Sequence, residues 1–181
     1  GPPGTGKTQL IAELCTKLCS EGKSVLITAL TNRALMEVAS KKVAWELLKQ
    51  GNIYKSNLTV DEQKELSKLI PLKQILPIKG ALVMATYYVV SSFAANLSDE
   101  RVFDVVIMDE ASKATPLEMS VPMVWGKKII IIGDHKQLPP MMNENNIITS
   151  LKKANQKVLA ETIESFKESQ FEILFRTAFK L

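Results

Sequence analysis

The first eight residues, GPPGTGKT, fit the pattern G-x-x-x-x-G-K-[ST] without a mismatch. Gly1, Gly4 and Gly6, with Thr5 between the last two, let backbone N–H groups turn inward around phosphate oxygens, and the following helix adds its positive end. Lys7 can reach the β- and γ-phosphates, and the Thr8 hydroxyl can bind magnesium. About one hundred residues later, VVIMDEAS (Val105 to Ser112) carries an acidic pair at the end of an apolar run. Asp109 would hold magnesium, largely through its water shell, because that ion dehydrates reluctantly. Glu110 is positioned to polarise an attacking water as general base. A third polar loop ends IIIIGDHKQLPP, Ile129 to Pro140. There Gly133 permits a sharp turn, Gln137 can hydrogen-bond a γ-phosphate or the attacking water, and Pro139 and Pro140 stiffen the chain behind them. The catalytic set is thus Lys7, Glu110 and Gln137, and the chemistry is nucleoside triphosphate hydrolysis.

Such loops need strands to deliver them. Apolar strand candidates alternate with amphipathic helix patterns, which predicts a mostly parallel α/β sheet flanked by helices. Leu10, Ile11, Leu14, Cys15 and Leu18 recur at helical spacing behind the phosphate loop, with Gly22 as a stop. Strands are predicted at 24–29, 81–86, 103–108 and 128–132, and a helix from Asn32 to about Gln50. Between Gly51 and Lys79 polar residues, Pro71 and Pro77 interrupt the pattern, with a short helix at Val60 to Ile70. That stretch resembles an insertion more than a sheet unit. The end, from about Ile147, reads as helical.

Composition sets the outer limits. The 181 residues suit one large domain, with ample apolar content and a net charge of +4. No apolar run approaches the roughly 20 residues of a membrane span, and no secretory signal opens the chain, so a cytoplasmic or nuclear protein is expected. Residues 33–79 hold nine basic and five acidic residues, so the surplus charge sits there. A phosphate-backbone partner would want such a segment, although from charge alone a solvated lysine face is the favoured reading. Cys15 and Cys19, with the lone His135, are too few for a zinc site and read as packing residues.

GPPGTGKT, DEAS and GDHKQLPP together resemble motifs I, II and III of superfamily 1 helicases, in the branch containing the nonsense-mediated-decay helicase and senataxin. TNRALMEVA (Thr31 to Ala39) looks like motif Ia, VMATYYVVSS (Val83 to Ser92) like motif Ic, and SQFEILF like a segment found after motif III. The resemblance runs from Gly1 to about Phe175 and implies a RecA-like P-loop domain, the first motor domain (1A), carrying a small inserted segment at about 51–79. It implies ATP and Mg2+ as cofactors, single-stranded DNA or RNA as track, and backbone contacts from Thr31, Asn32 and Thr86. It also implies a second RecA-like motor domain as partner.

Two departures accompany it. Motifs IV, V and VI, with their arginine fingers, have no counterpart, and the strand and glutamine motif expected ahead of Gly1 are absent. The chain therefore reads as a fragment whose isolated ATPase is expected to be negligible. An AAA+-type ATPase also uses GPPGTGKT, but places its acidic pair closer and has no GDxxQLPP. A non-catalytic nucleic-acid-binding scaffold would not need Lys7, Thr8, Asp109, Glu110 and Gln137 all intact. Trp45 reads as packing, Tyr87 and Tyr88 as packing or base stacking, and Met141 and Met142 as filling beneath the third loop.

Overall fold

A computed structural model of the protein describes residues 6–92 and 102–133. Its centre is a six-stranded sheet in the order β3-β2-β4-β1-β5-β6, every pairing parallel. The strands are β1 (Val25–Ala29), β2 (Ile53–Ser56), β3 (Ile70–Leu72), β4 (Leu82–Thr86), β5 (Val105–Met108) and β6 (Ile129–Ile131). The helices are α1 (Lys7–Ser20), α2 (Asn32–Ala39), α3 (Trp45–Lys49), α4 (Val60–Glu65), α5 (Tyr87–Ser92) and α6 (Pro116–Val124). This is the RecA-like α/β arrangement that the sequence implied. No helix among the described residues is long and apolar enough to cross a membrane.

Strand alternation divides the core into two layers. Val25, Ile27, Leu82, Met84, Val105 and Ile107 pack with the apolar faces of α1 to α3. Leu26, Val83, Ala85, Val106 and Met108 pack on the other side with α5, α6, Phe103 and Trp125. Every residue of β1, β4 and β5 is buried, as expected of strands covered on both faces. Each large apolar side chain so buried contributes about 1.5–3 kcal/mol. By contrast α4 buries none of its residues and depends on its cap. Both α4 and α6 open with Thr-x-x-Glu capping boxes, Thr59 with Glu62 and Thr115 with Glu118. Cys15 and Cys19 are both buried in the first layer; burial pushes both thiols up, that of Cys19 to about 12.

The structure corrects three local readings. Segment 51–79 does not interrupt the sheet: it supplies β2 and β3, paired parallel onto β4. Its strands escape detection because β2 carries a lysine, Lys55, and β3 carries Pro71, which only a sheet edge tolerates. The helix expected from Asn32 to Gln50 is broken. Lys41 adopts extended backbone (φ −65°, ψ 141°), a 3-10 turn comes next at Lys42–Ala44, and α3 then begins. Trp45 is 48% exposed rather than packed, and its indole N–H donates to the Ser40 carbonyl left at the break. The helical reading beyond Ile147 lies outside the described residues.

At the amino-terminal ends of β1 and β5, Asp104 accepts from the Ser24 N–H (3.0 Å) and hydroxyl (3.1 Å), and from Lys127 (3.0 Å). The Ser24 N–H above all, then Lys127, hold its carboxyl well below the usual carboxylate range. A depressed folded-state pKa means stability present above the unfolded value and lost as pH falls below it. Asp104→Ala is expected to cost about 1–3 kcal/mol at neutral pH. The gap from wild type should narrow as pH drops below 3.8, the ordinary value. Urea unfolding of both proteins at neutral pH and at about pH 3 checks this.

Candidate functional site

Parallel strands deliver all their following loops to one edge of the sheet. Of the expected site residues, all those that are described sit along it or at the start of α1: Gly6, Lys7, Thr8, Thr31, Asn32, Thr86, Asp109 and Glu110. Gly1, Gly4, Thr5 and Gln137 lie outside the described residues.

Gly6 takes the left-handed backbone (φ 75°) that glycine favours, and Lys7 begins α1 directly behind it. Among the described residues nothing lies within 4 Å of where a Cβ on Gly6 would sit, so that face of the loop is open. Asp109 follows β5, and its N–H donates to the Thr28 carbonyl at 2.8 Å, continuing the ladder one residue past the strand. Burial raises the Asp109 carboxyl, while the Glu110 N–H donated to Oδ1 (2.8 Å) and the charge of Lys7 oppose that rise. A left-handed glycine, a lysine and a part-buried carboxylate facing that lysine's charge fit a magnesium-bound triphosphate.

Glu110 is one of two non-glycine residues with positive φ among the described residues (53°). For an L-residue this conformation costs about 1–2 kcal/mol and marks a position where the fold holds a side chain deliberately. Its carboxylate lies 3.7 Å from the Lys113 ammonium, and both side chains are partly exposed. Water can therefore reach this carboxylate, one residue beyond Asp109.

Farther along the edge, Thr31 accepts from the Ala34 N–H (3.2 Å), capping α2. Asn32 Oδ1 accepts from Lys55 Nζ (2.9 Å), and Thr86 Oγ1 accepts from the Val89 N–H (3.4 Å). Each of the three side chains thus accepts one hydrogen bond inside the fold and still carries a donor, the hydroxyl hydrogen of Thr31 and Thr86 and the NH2 of Asn32. Phosphodiester oxygens are acceptors, so the polarity suits a nucleic-acid backbone. Thr31 and Asn32 are exposed; Thr86 is nearly covered, at 8%. The register pairs Ala29 with Thr86, so the segments carrying these residues leave adjacent strands.

Tyr87 and Tyr88 separate cleanly. Tyr88 is 78% exposed, whereas Tyr87 is fully buried and donates its hydroxyl to the Asp109 carbonyl (2.8 Å). Burial, then the nearby carboxylates of Asp109, Glu110 and Glu118, push the Tyr87 phenol far above its usual range, so it stays a donor. The residue after Thr86 is therefore bonded to the backbone of the acidic pair.

Comparison with known proteins settles the family. A protein-family profile described as an AAA domain matches residues 72–145. The chain is similar to the DNA replication ATP-dependent helicase/nuclease DNA2 of Saccharomyces cerevisiae, 34% identical over 155 residues, covering 80% of this chain and 10% of that protein. The DNA2 of Homo sapiens is 28% identical over 152 residues, covering 78% of this chain and 14% of its own length. The helicase/nuclease JHS1 of Arabidopsis thaliana is 30% identical over 148 residues, covering 78% and 11%. The chain belongs to the superfamily 1 helicases. An AAA+-type ATPase could share the profile's description, but the relatives that match most of the chain are named helicases. The chain spans 10–14% of these relatives' length.

Within this superfamily 1 chain, three features of the edge escaped sequence reasoning. Lys55 was one of many basic residues, with nothing in its spacing to mark it as buried. The Tyr87 hydrogen bond joins residues 22 apart and needs the sheet order to be known. Glu110's left-handed backbone has no signal in the letters DE. It does carry a consequence for stability. Glu110→Gly, which relieves the positive φ, is expected to be more stable than Glu110→Ala by about 1 kcal/mol. Both should lack hydrolysis. Parallel denaturant melts of the two variants test this, and equal midpoints would contradict it.

Proposed function

We propose that this chain is the first RecA-like motor domain (1A) of an ATP-driven helicase moving along single-stranded DNA, with residues 51–79 as its own elaboration of the sheet. The observation that carries the proposal is the shared edge. Gly6, Lys7, Asp109 and Glu110 gather at the α1 and β5 end, and a row of donors, Thr31, Asn32 and Thr86, gathers at the β1 and β4 end. DNA rather than RNA is favoured by the relatives, which are named for DNA replication.

In this reading ATP sits against the loop ending at Gly6, and Lys7 neutralises charge on the transferring phosphoryl group. Thr8 and Asp109 would hold magnesium, which would supply positive charge to offset that of the phosphates. Glu110 takes the proton from the attacking water, and Gln137 orients that water or senses the γ-phosphate. Thr31, Asn32 and Thr86 donate to the phosphodiester backbone, giving register without sequence preference. A second motor domain supplies the arginine fingers that complete the charge compensation, so residues 1–181 alone hydrolyse ATP negligibly.

The tests use the full-length protein. Lys7→Ala should weaken ATP-analogue binding and abolish turnover. Glu110→Gln should keep the analogue bound and lower kcat by about a hundredfold or more. Normal turnover in Glu110→Gln would remove that residue from the mechanism. Affinity for fluorescent single strands should be indifferent to sequence and fall steeply with salt. A strong sequence preference at low and high salt would argue for a specific reader rather than a motor.

A further inference from the structure

Lys55 is fully buried in the layer under α2, with no exposed side-chain surface. An ammonium has three N–H donors, and here each has an acceptor: Asn32 Oδ1 at 2.9 Å, Glu62 Oε2 at 3.1 Å and the Ser56 carbonyl at 3.3 Å. The group thus joins β2, α4 and the first residue of α2. Burial works against the Glu62 carboxylate, but the Thr59 N–H and then Lys55 outweigh it and hold it below its ordinary value.

A buried pair of this kind adds little stability by itself, because desolvation of both ions offsets their attraction. Apolar residues of similar volume would serve packing as well or better. What apolar residues could not do is grip the exposed amide of Asn32. An amide can turn either its oxygen or its NH2 toward a neighbour, and a cation accepts only the oxygen. Contact with Lys55 therefore removes the choice: Oδ1 faces inward, and the two Nδ2–H donors face away from the ammonium. Glu62 in turn keeps the ammonium from leaving, and is itself fixed by the capping box with Thr59.

We propose that Lys55, anchored by Glu62, is a positioning residue for nucleic-acid binding, holding the Asn32 amide so that its N–H donors meet the phosphodiester backbone. This rests on the reading of Asn32 as a track contact. It gives α4, a helix that buries nothing, a function. It also links residues 51–79 to Asn32 at the loop edge of the sheet.

The experiment measures full-length protein binding to fluorescent oligo-dT, together with oligo-dT-stimulated ATPase and thermal melting. Asn32→Ala should weaken oligo-dT binding about tenfold. Asn32→Asp should keep or raise the melting temperature, because a carboxylate suits Lys55. It should nevertheless bind oligo-dT more weakly than Asn32→Ala, since it presents oxygen to phosphate. The double variant Lys55→Met/Glu62→Leu removes both ions and so avoids leaving one stranded. It should melt near wild type, weaken oligo-dT binding about fivefold, raise the oligo-dT concentration for half-maximal ATPase and leave kcat at saturation unchanged. Adding Asn32→Ala to the double variant should bring the loss to that of Asn32→Ala alone and no further, since both act through one contact. If Asn32→Ala binds normally, the track contact itself is wrong, and the inference falls with it. If Asn32→Ala weakens binding and the folded double variant does not, or if the two effects add, the positioning role alone is overturned.

Discussion

The parallel pairing of β1 with both β4 and β5 is the constraint on which the remaining features rest. With neighbours running the same way, each strand's following loop must emerge at the same edge, and each return must cross a face of the sheet. The register is what gives this functional content. Ala29 lies beside Thr86, and Thr28 lies beside Met108, so three chain segments leave the sheet at nearly the same height. The Asp109 N–H then bonds the Thr28 carbonyl, carrying the ladder directly into the acidic pair. A slip of one residue in either pairing would turn Asp109 or Thr86 to the opposite face.

Adjacency at the edge also couples its two halves. Two strand spacings, about 10 Å, separate the chain leaving β4 from the chain leaving β5. Tyr87 bridges that gap with its buried hydroxyl on the Asp109 carbonyl. The segment beginning at Thr86 is thus tied to the backbone of Asp109 through a buried aromatic ring. Glu110, held at positive φ one residue on, is the side chain most sensitive to a shift there. Two stretches read as separate motifs are thus joined by one hydrogen bond across the sheet.

Much of this was legible in the letters because the fully buried strands β1, β4 and β5 are continuous apolar runs, and each ends in polar or glycine-containing loops. Burial on both faces leaves no room for ambiguity in such runs. β2 and β3 were not legible for the same physical reason in reverse. β2 admits Lys55 because Glu62, Asn32 and Ser56 satisfy it, and those partners become neighbours only on folding. β3 admits Pro71 because an edge strand can forgo a ladder donor. The continuous helix expected after Asn32 fails at Lys41, where apolar spacing continues but the backbone turns out of the helical region. For the site itself, residue types and their order along the chain were enough to nominate Lys7, Asp109 and Glu110. Which of two adjacent tyrosines was buried depended on the sheet order.

Pro71 also bears on how the molecule behaves among copies of itself. It sits mid-strand in β3, three residues long at one end of the sheet, and lacks the N–H that a newly arriving strand would seek. The sheet is therefore poor at recruiting strands at that end. At the other end Ile129, Ile130 and Ile131 are each only partly covered, and among the described residues β6 pairs on one side, with β5. Among the described residues the two margins of the sheet therefore differ in kind: one is blunted by its own chemistry, and the other is a row of part-covered isoleucines.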